Sequence, residues 1–229
     1  MNLKYVQNGV VYQESANGLK VIGFADPKDN RHNLFIPGVF HIPAKDGTIR
    51  KWHVKEIAKN AFANSEHLLT LTLPNTLSVI GHYAFSGCPK LKEVKCDNSE
   101  YSSTMNFLRG AFSNCPKLEK VSLDNPIYWV CNDVFKGCNS LTRFNGKVMD
   151  IAKGAFNDCK LESLAFTHRA NIHTGSVEYS GVKELFFTEE LFTTQSVWAW
   201  IKKANVTICC PAHSKLVDLA YEGISIEVI

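Results

Sequence analysis

A chain of 229 residues with 45% hydrophobic and 21% charged residues is long enough to bury a sizeable core, and its composition excludes a disordered or fibrous protein. The 25 Lys+Arg against 22 Asp+Glu leave a net charge of +3 with no long run of one sign, so the concentrated basic footprint of a nucleic-acid binder is missing. No window approaches the uninterrupted apolar length that crosses a bilayer, and membrane insertion by this chain is not expected.

The chain opens with MNLKYVQNGVVYQES, which has no apolar leader, although a leader upstream of Met1 stays compatible with it. Asn8-Gly9 and Asn17-Gly18 are hairpin-turn dipeptides between β-rich segments. NLFIPGVFHIP and, after an Asp46-Gly47 turn, TIRKWHV add further strand candidates. Residues 1–53 therefore read as an antiparallel β-rich cap.

Residues 54–188 carry about six copies of one unit. Aligned on Phe62, Phe85, Phe112, Phe135, Phe156 and the degenerate Val177, the copies are spaced by 23, 27, 23, 21 and 21 residues. Five residues upstream stand Ile57, Ile80, Phe107, Val130, Ile151 and Ile172. Three residues downstream stand Ser65, Cys88, Cys115, Cys138, Cys159 and Ser180. Further rows follow, among them Leu71, Val94, Val121, Phe144, Leu164 and Leu185. Rows of apolar or small residues at fixed offsets mean stacked coils, since one coil cannot bury its apolar side alone. LKEVKC at 91–96 predicts a strand with Val94 and Cys96 inward and Glu93 and Lys95 outward, paired in parallel with its neighbours. The three-residue spacing of Phe85 and Cys88 predicts a short helical turn, limited by Pro89. The four extra residues around NSEYSST, between Phe85 and Phe112, are expected to loop out of one coil.

Residues 189–229 form a C-terminal irregular repeat and cap. TTQSVWAWIKKAN suits a short helix that lays Trp198 or Ile201 over the last coil; a strand, a helix over about Ala212 to Tyr221 and a closing strand follow.

Eight cysteines without a C-x-x-C pair are too sparse for a disulfide scaffold and leave the compartment open. Cys88, Cys115, Cys138 and Cys159 occupy one row, where a buried cysteine acts as a small hydrophobe. Serines at both ends of that row point to size rather than reactivity. Adjacent Cys209 and Cys210 should face opposite sides of a strand, one in the core and the other free to be exposed. The eight histidines form no H-E-x-x-H motif, and no nucleophile elbow, phosphate loop or paired-carboxylate motif occurs. No catalytic residue, metal site or cofactor is therefore expected, and a thiol- or histidine-dependent hydrolase is the outlying alternative. For Trp52, Trp129, Trp198 and Trp200 cap or core packing is the first reading and a partner anchor the second.

What remains is the outward face of the strands, in two columns. Thr70, Glu93, Lys120, Arg143, Ser163 and Glu184 make one; Thr72, Lys95, Ser122, Asn145, Ala165 and Phe186 make the other. This mixture of charge, hydroxyl, amide and one aromatic is the candidate partner-binding face.

The repeat rows, the Ala-Phe pair and the proline turn in LTLPNT at 71–76 resemble the BspA-like, treponemal-type leucine-rich repeats, whose unit is roughly C-x-x-L-x-x-I-x-L-P-x-x-L-x-x-I-x-x-x-A-F. The resemblance covers about residues 54–188. It implies an α/β leucine-rich repeat solenoid of right-handed stacked coils, with a parallel concave β-sheet and short helical turns. It also implies a non-catalytic module, monomeric, that binds a protein or glycan partner from a bacterial cell surface or as a secreted adhesin-like protein. An intracellular, cytoplasmic scaffold is the alternative.

Overall fold

The structure is a computed structural model that describes residues 3–43, 47–97, 103–187, 191–193 and 195–229. Asp46 of the expected turn, and residues 98–102 of the expected loop, lie outside these. β1 (Lys4–Gln7), β2 (Val10–Ser15) and β3 (Gly18–Phe24) form an antiparallel meander. Asn8 (φ 50°) and Gly9 (φ 71°) supply the two left-handed residues that a tight β1–β2 turn requires. β3 then changes partner mode and pairs in parallel with β6 (Ile49–Ile57), which also takes β5 (Val39–Pro43) antiparallel on part of its length.

From β4 (Asn33–Phe35) onward the chain is a β-solenoid in which each coil contributes a strand to one parallel sheet and a short strand to a second, outer sheet. The pairs are β7 (Thr70–Leu73) with β8 (Val79–Ile80), β9 (Glu93–Cys96) with β10 (Met105–Phe107), β11 (Lys120–Ser122) with β12 (Ile127–Val130), and β13 (Arg143–Asn145) with β14 (Lys147–Ile151). β15 (Ser163–Ile172) runs through both sheets; β16 (Glu184–Phe186) and β17 (Leu191–Thr193) pair with its two halves. In the first sheet, the one that the family resemblance makes concave, β4, β7, β9, β11 and β13 pair in parallel. The register continues where Glu162 N–H donates to the Thr142 carbonyl at 3.2 Å. β16 then pairs with β18 (Thr207–Cys210) and β18 with β19 (Ile226–Val228).

The inward rows are ladders because the strands are in register. Val21, Ile57, Ile80, Phe107, Val130, Ile151 and Ile172 face one another from coil to coil on the outer sheet. All are fully buried. Between the sheets Phe62, Phe85, Phe112, Phe135 and Phe156 stack at centroid distances of 5.2, 5.1, 5.5 and 5.2 Å, nearly coplanar at 6–13°. Phe24 closes the first end edge-on at 4.7 Å.

The Ala-Phe segments are turns, not the helical turns expected from sequence. A helix needs its N–H groups for its own carbonyls. Here Asn60, Phe62 and Asn64 donate instead to His82, Ala84 and Ser86 of the next coil at 2.8–3.0 Å, and only the residues between them close locally, as Ala61 does on Ala58. The cost is left-handed backbone two residues before and two after the phenylalanine: Asn60 and Asn64, Tyr83 and Gly87, Gly110 and Asn114, Asp133 and Gly137, Gly154 and Asp158. Side chain and glycine alternate down the whole second row and from Tyr83 onward in the first, because neighbouring coils leave little room for two. A Cβ on Gly137 would stand 2.8 Å from Asn114 Oδ1, and one on Gly154 2.8 Å from Asp133 Oδ1.

In the coil after the insertion, Asn125 is 1% exposed, and its Nδ2 donates to the carbonyls of Asn75 at 2.7 Å and Ser103 at 2.8 Å. Its Oδ1 accepts from Cys96 Sγ at 3.3 Å, so one amide ties consecutive coils together. At the C-terminal end α1 (Gln195–Lys203) buries Val197 and Ile201, and Lys202 and Lys203 lie in its last turn, where the helix dipole favours cations. Trp198 is only partly buried. The helix expected over 212–221 is a 3₁₀ segment, Lys215–Glu222. Ser214 Oγ takes the Leu216 N–H and its carbonyl takes that of Val217, which sets the three-residue bonding pattern, and Gly223 (φ 77°) ends the segment before an α-helix can propagate.

Candidate functional site

The cysteine row is core. Cys88, Cys115 and Cys138 are fully buried and Cys159 is nearly so. Each thiol donates to the phenylalanine carbonyl of the preceding coil: Cys88 to Phe62 at 3.4 Å, Cys115 to Phe85 at 3.2 Å, Cys138 to Phe112 at 3.1 Å and Cys159 to Phe135 at 3.3 Å. Ser65 and Ser180 bond their own coil's carbonyls at the row's ends. The Cys115 thiol hydrogen-bonded beside it, with burial, holds Cys88 far above the ordinary thiol range; Cys138 does the same for Cys115, and burial does it for Cys159. Burial pushes Cys96 up to about 11. All eight cysteines are unpaired. Cys88, Cys96, Cys115 and Cys159, so raised, carry almost no thiolate at neutral pH and are poor nucleophiles.

Cys209 departs from expectation. Its position on β18 is outward, yet it is fully buried, because the last coil brings Glu227 opposite it with Oε2 3.8 Å from Sγ. Burial, then the Glu227 charge, raise it to about 11. Among the described residues no group of three His, Cys, Asp or Glu side chains converges on a metal-sized site.

The outward columns are in register. Thr70, Glu93, Lys120 and Arg143 are opposite one another across β7, β9, β11 and β13, and Ser163 faces Glu184 beyond them. Thr72, Lys95, Ser122 and Asn145 make the second column, and Ala165 faces Phe186. Both columns are longer than the repeat pattern indicated. Asn33 and Phe35 on β4 precede them, Phe35 being 53% exposed, and Thr207 and Cys209 follow. Asn33, Phe35, Lys95, Arg143, Asn145 and Glu184 are exposed, Cys209 is fully buried and the others are partly buried. Within the face Lys120 Nζ lies 3.3 Å from Glu93 Oε1, and Thr70 Oγ1 donates to Asn33 Oδ1 at 2.6 Å. Ser122 Oγ is buried with no hydrogen-bond partner among the described residues. The face offers fixed donors and acceptors on a rigid sheet, suited to recognition rather than to bond making.

A third outward column lies on the outer sheet, one residue before the inward ladder: Glu56, Val79, Asn106, Trp129, Asp150 and Asn171. Packing is the wrong reading for Trp129, which is 43% exposed. The period of two could have revealed it, since the residue before an inward Val130 must point out.

The chain's relatives are structural. No curated protein matches it. Its solved likenesses include a leucine-rich repeat protein of T. pallidum, 21% identical over 83% of this chain and 86% of that one with a TM-score of 0.58. A leucine-rich repeat protein of Bacteroides capillosus is 17% identical over 63% of this chain and 98% of that one, at a TM-score of 0.44. A leucine-rich cell surface protein of Faecalibacterium prausnitzii is 15% identical over 83% and 72%, at 0.48. The first supports a shared fold. Residues 55–185 match the family described as BspA type Leucine rich repeat region, in six copies. Stacked phenylalanines, a thiol row bonded to the preceding coil and in-register parallel strands are the physical form of that repeat, and the chain belongs to the BspA-type leucine-rich repeat family.

Proposed function

We propose that this chain is a non-catalytic interaction module that presents its concave sheet to a protein or glycan partner, as part of a bacterial cell-surface or secreted adhesin-like protein. The leucine-rich repeat fold is in general a binding scaffold rather than a catalytic one. The observation that carries the reading is the pair of outward columns, in which Lys95, Lys120, Ser122, Arg143 and Asn145 stand on adjacent strands with Phe35 and Phe186 toward the ends. A rigid sheet holds these groups at fixed spacing, so binding costs little ordering of the protein side. The test is a screen of the chain against immobilised host matrix proteins and glycans, repeated with Lys95→Ala/Arg143→Ala/Phe186→Ala. Binding lost in the variant, with melting unchanged, supports the reading; a uniformly negative screen, or a partner indifferent to the variant, counts against it.

The eight unpaired cysteines favour a second reading, an intracellular scaffold, since thiols persist in a reducing compartment. Burial of the thiols accounts for their survival outside it equally well. Fractionation of the source cell decides between the two.

A further inference from the structure

We propose that the outer sheet carries a glycan-binding site centred on Trp129, distinct from the concave face. β12 reads buried, exposed, exposed, buried over Ile127–Val130, and its register against β10 slips after Met105, so that Ile127 faces Met105 while Trp129 faces Asn106. This bulge spends one extra residue to turn two neighbouring aromatics outward, Tyr128 at 52% and Trp129 at 43% exposure. Beside Trp129 in register come Asp150 on β14 and Asn171 on β15. With strands about 4.8 Å apart the three side chains span about 10 Å, the length of one to two sugar rings.

The polar groups around the indole are already organised. Asp150 Oδ2 accepts from Asn171 Nδ2 at 3.3 Å, while Asp150 Oδ1 lies 3.2 Å from His173 Nε2. His173 Nε2 is also 3.1 Å from Asn171 Nδ2, and Asn132 Nδ2 is fixed on the Lys153 carbonyl at 3.1 Å. Trp129, Asn132, Asp150, Lys153 and His173 line an open groove of about 440 Å³, within the range of small-ligand sites.

A pyranose has one apolar C–H face and a rim of hydroxyls that both donate and accept. An exposed indole takes the face, and an acid–amide–imidazole cluster takes adjacent hydroxyls. A protein hot spot would instead ring the tryptophan with apolar side chains that exclude water, whereas here its neighbours are polar. The single lining carboxylate fits binding rather than glycoside hydrolysis, which uses a pair of carboxylates about 5–9.5 Å apart.

The test uses the whole chain and the methyl glycosides of glucose, galactose, mannose and N-acetylglucosamine, each followed by saturation-transfer NMR and titration, with an oligosaccharide array to separate terminal from internal sugar recognition. At least one glycoside is expected to bind with a dissociation constant on the order of 1–10 mM. Trp129→Ala should weaken it at least about tenfold and Asp150→Asn several-fold, while Trp200→Phe and the concave triple variant bind as the parent does, which makes this outcome independent of the concave-face reading. Trp129→Leu, which keeps an apolar side chain without a ring, gives the same loss if Trp129→Ala unfolds. The proposal is overturned if no glycoside binds, if binding survives both Trp129 variants, or if the groove retains only a protein ligand through Trp129.

Discussion

Replacing Phe112 with leucine tests whether the aromatic ladder couples the coils. Phe112 is fully buried, stacks on Phe85 at 5.1 Å and Phe135 at 5.5 Å, and meets the edge of Phe107 at 5.9 Å. Leucine keeps most of the apolar burial, which by itself costs less than about 1.5 kcal/mol. The three lost ring contacts, at about 0.5–1.5 kcal/mol each, bring the expected cost to about 2–6 kcal/mol. Phe62 has one parallel partner, Phe85, and an edge contact with Phe24, so Phe62→Leu should cost about 1 kcal/mol less. In a stacked array a central rung joins two coil interfaces and a terminal rung one, so the order of the two losses is the informative result. Urea unfolding followed by far-UV circular dichroism gives both numbers. If Phe112→Leu costs less than Phe62→Leu, or under about 1 kcal/mol, coupling through the rings is refuted.

Further outcomes follow from the same geometry. Gly137→Ala brings a Cβ to 2.8 Å from Asn114 Oδ1 at φ 77°, and should lower stability by about 1–3 kcal/mol; Asn114→Gly should recover the steric part alone, as a double-mutant denaturation cycle will show. Asn125→Leu removes the donors of the buried Asn75 and Ser103 carbonyls and should cost about 2–4 kcal/mol by urea melting. Alkaline pH should destabilise the fold: with pKa values raised in the native state, as for Cys96 to about 11, the unfolded chain releases its thiol protons first. Stability is therefore full below the ordinary thiol range and falls as pH rises toward about 11, by up to about 1.4 kcal/mol per pH unit for each such thiol. Cys88→Ser/Cys115→Ser should flatten that slope in melts recorded from pH 8 upward.

The inward rows were legible because each is a fixed offset from one phenylalanine, and burial admits few residue types there. The left-handed turns were not, because Phe85 and Cys88 three apart imitate a helical face; the alternation of Asn64, Gly87, Asn114 and Gly137 was the better clue. β4 escaped the repeat pattern since no Ala-Phe unit precedes it, which hid Asn33 and Phe35. Treating an aromatic as core misplaces Trp129, whose place beside the inward Val130 fixes it outward. Cys209 shows the reverse: alternation put it outside, and the closing strand covered it.

The central claim is that the cysteines are rungs of the core and that function belongs to the sheet faces. Titration of the native protein with a thiol reagent tests it most directly. Cys131 alone is half-buried, so at most one thiol should react before unfolding, with the rest appearing only in denaturant. Two or more thiols reacting rapidly in the native protein would contradict the account.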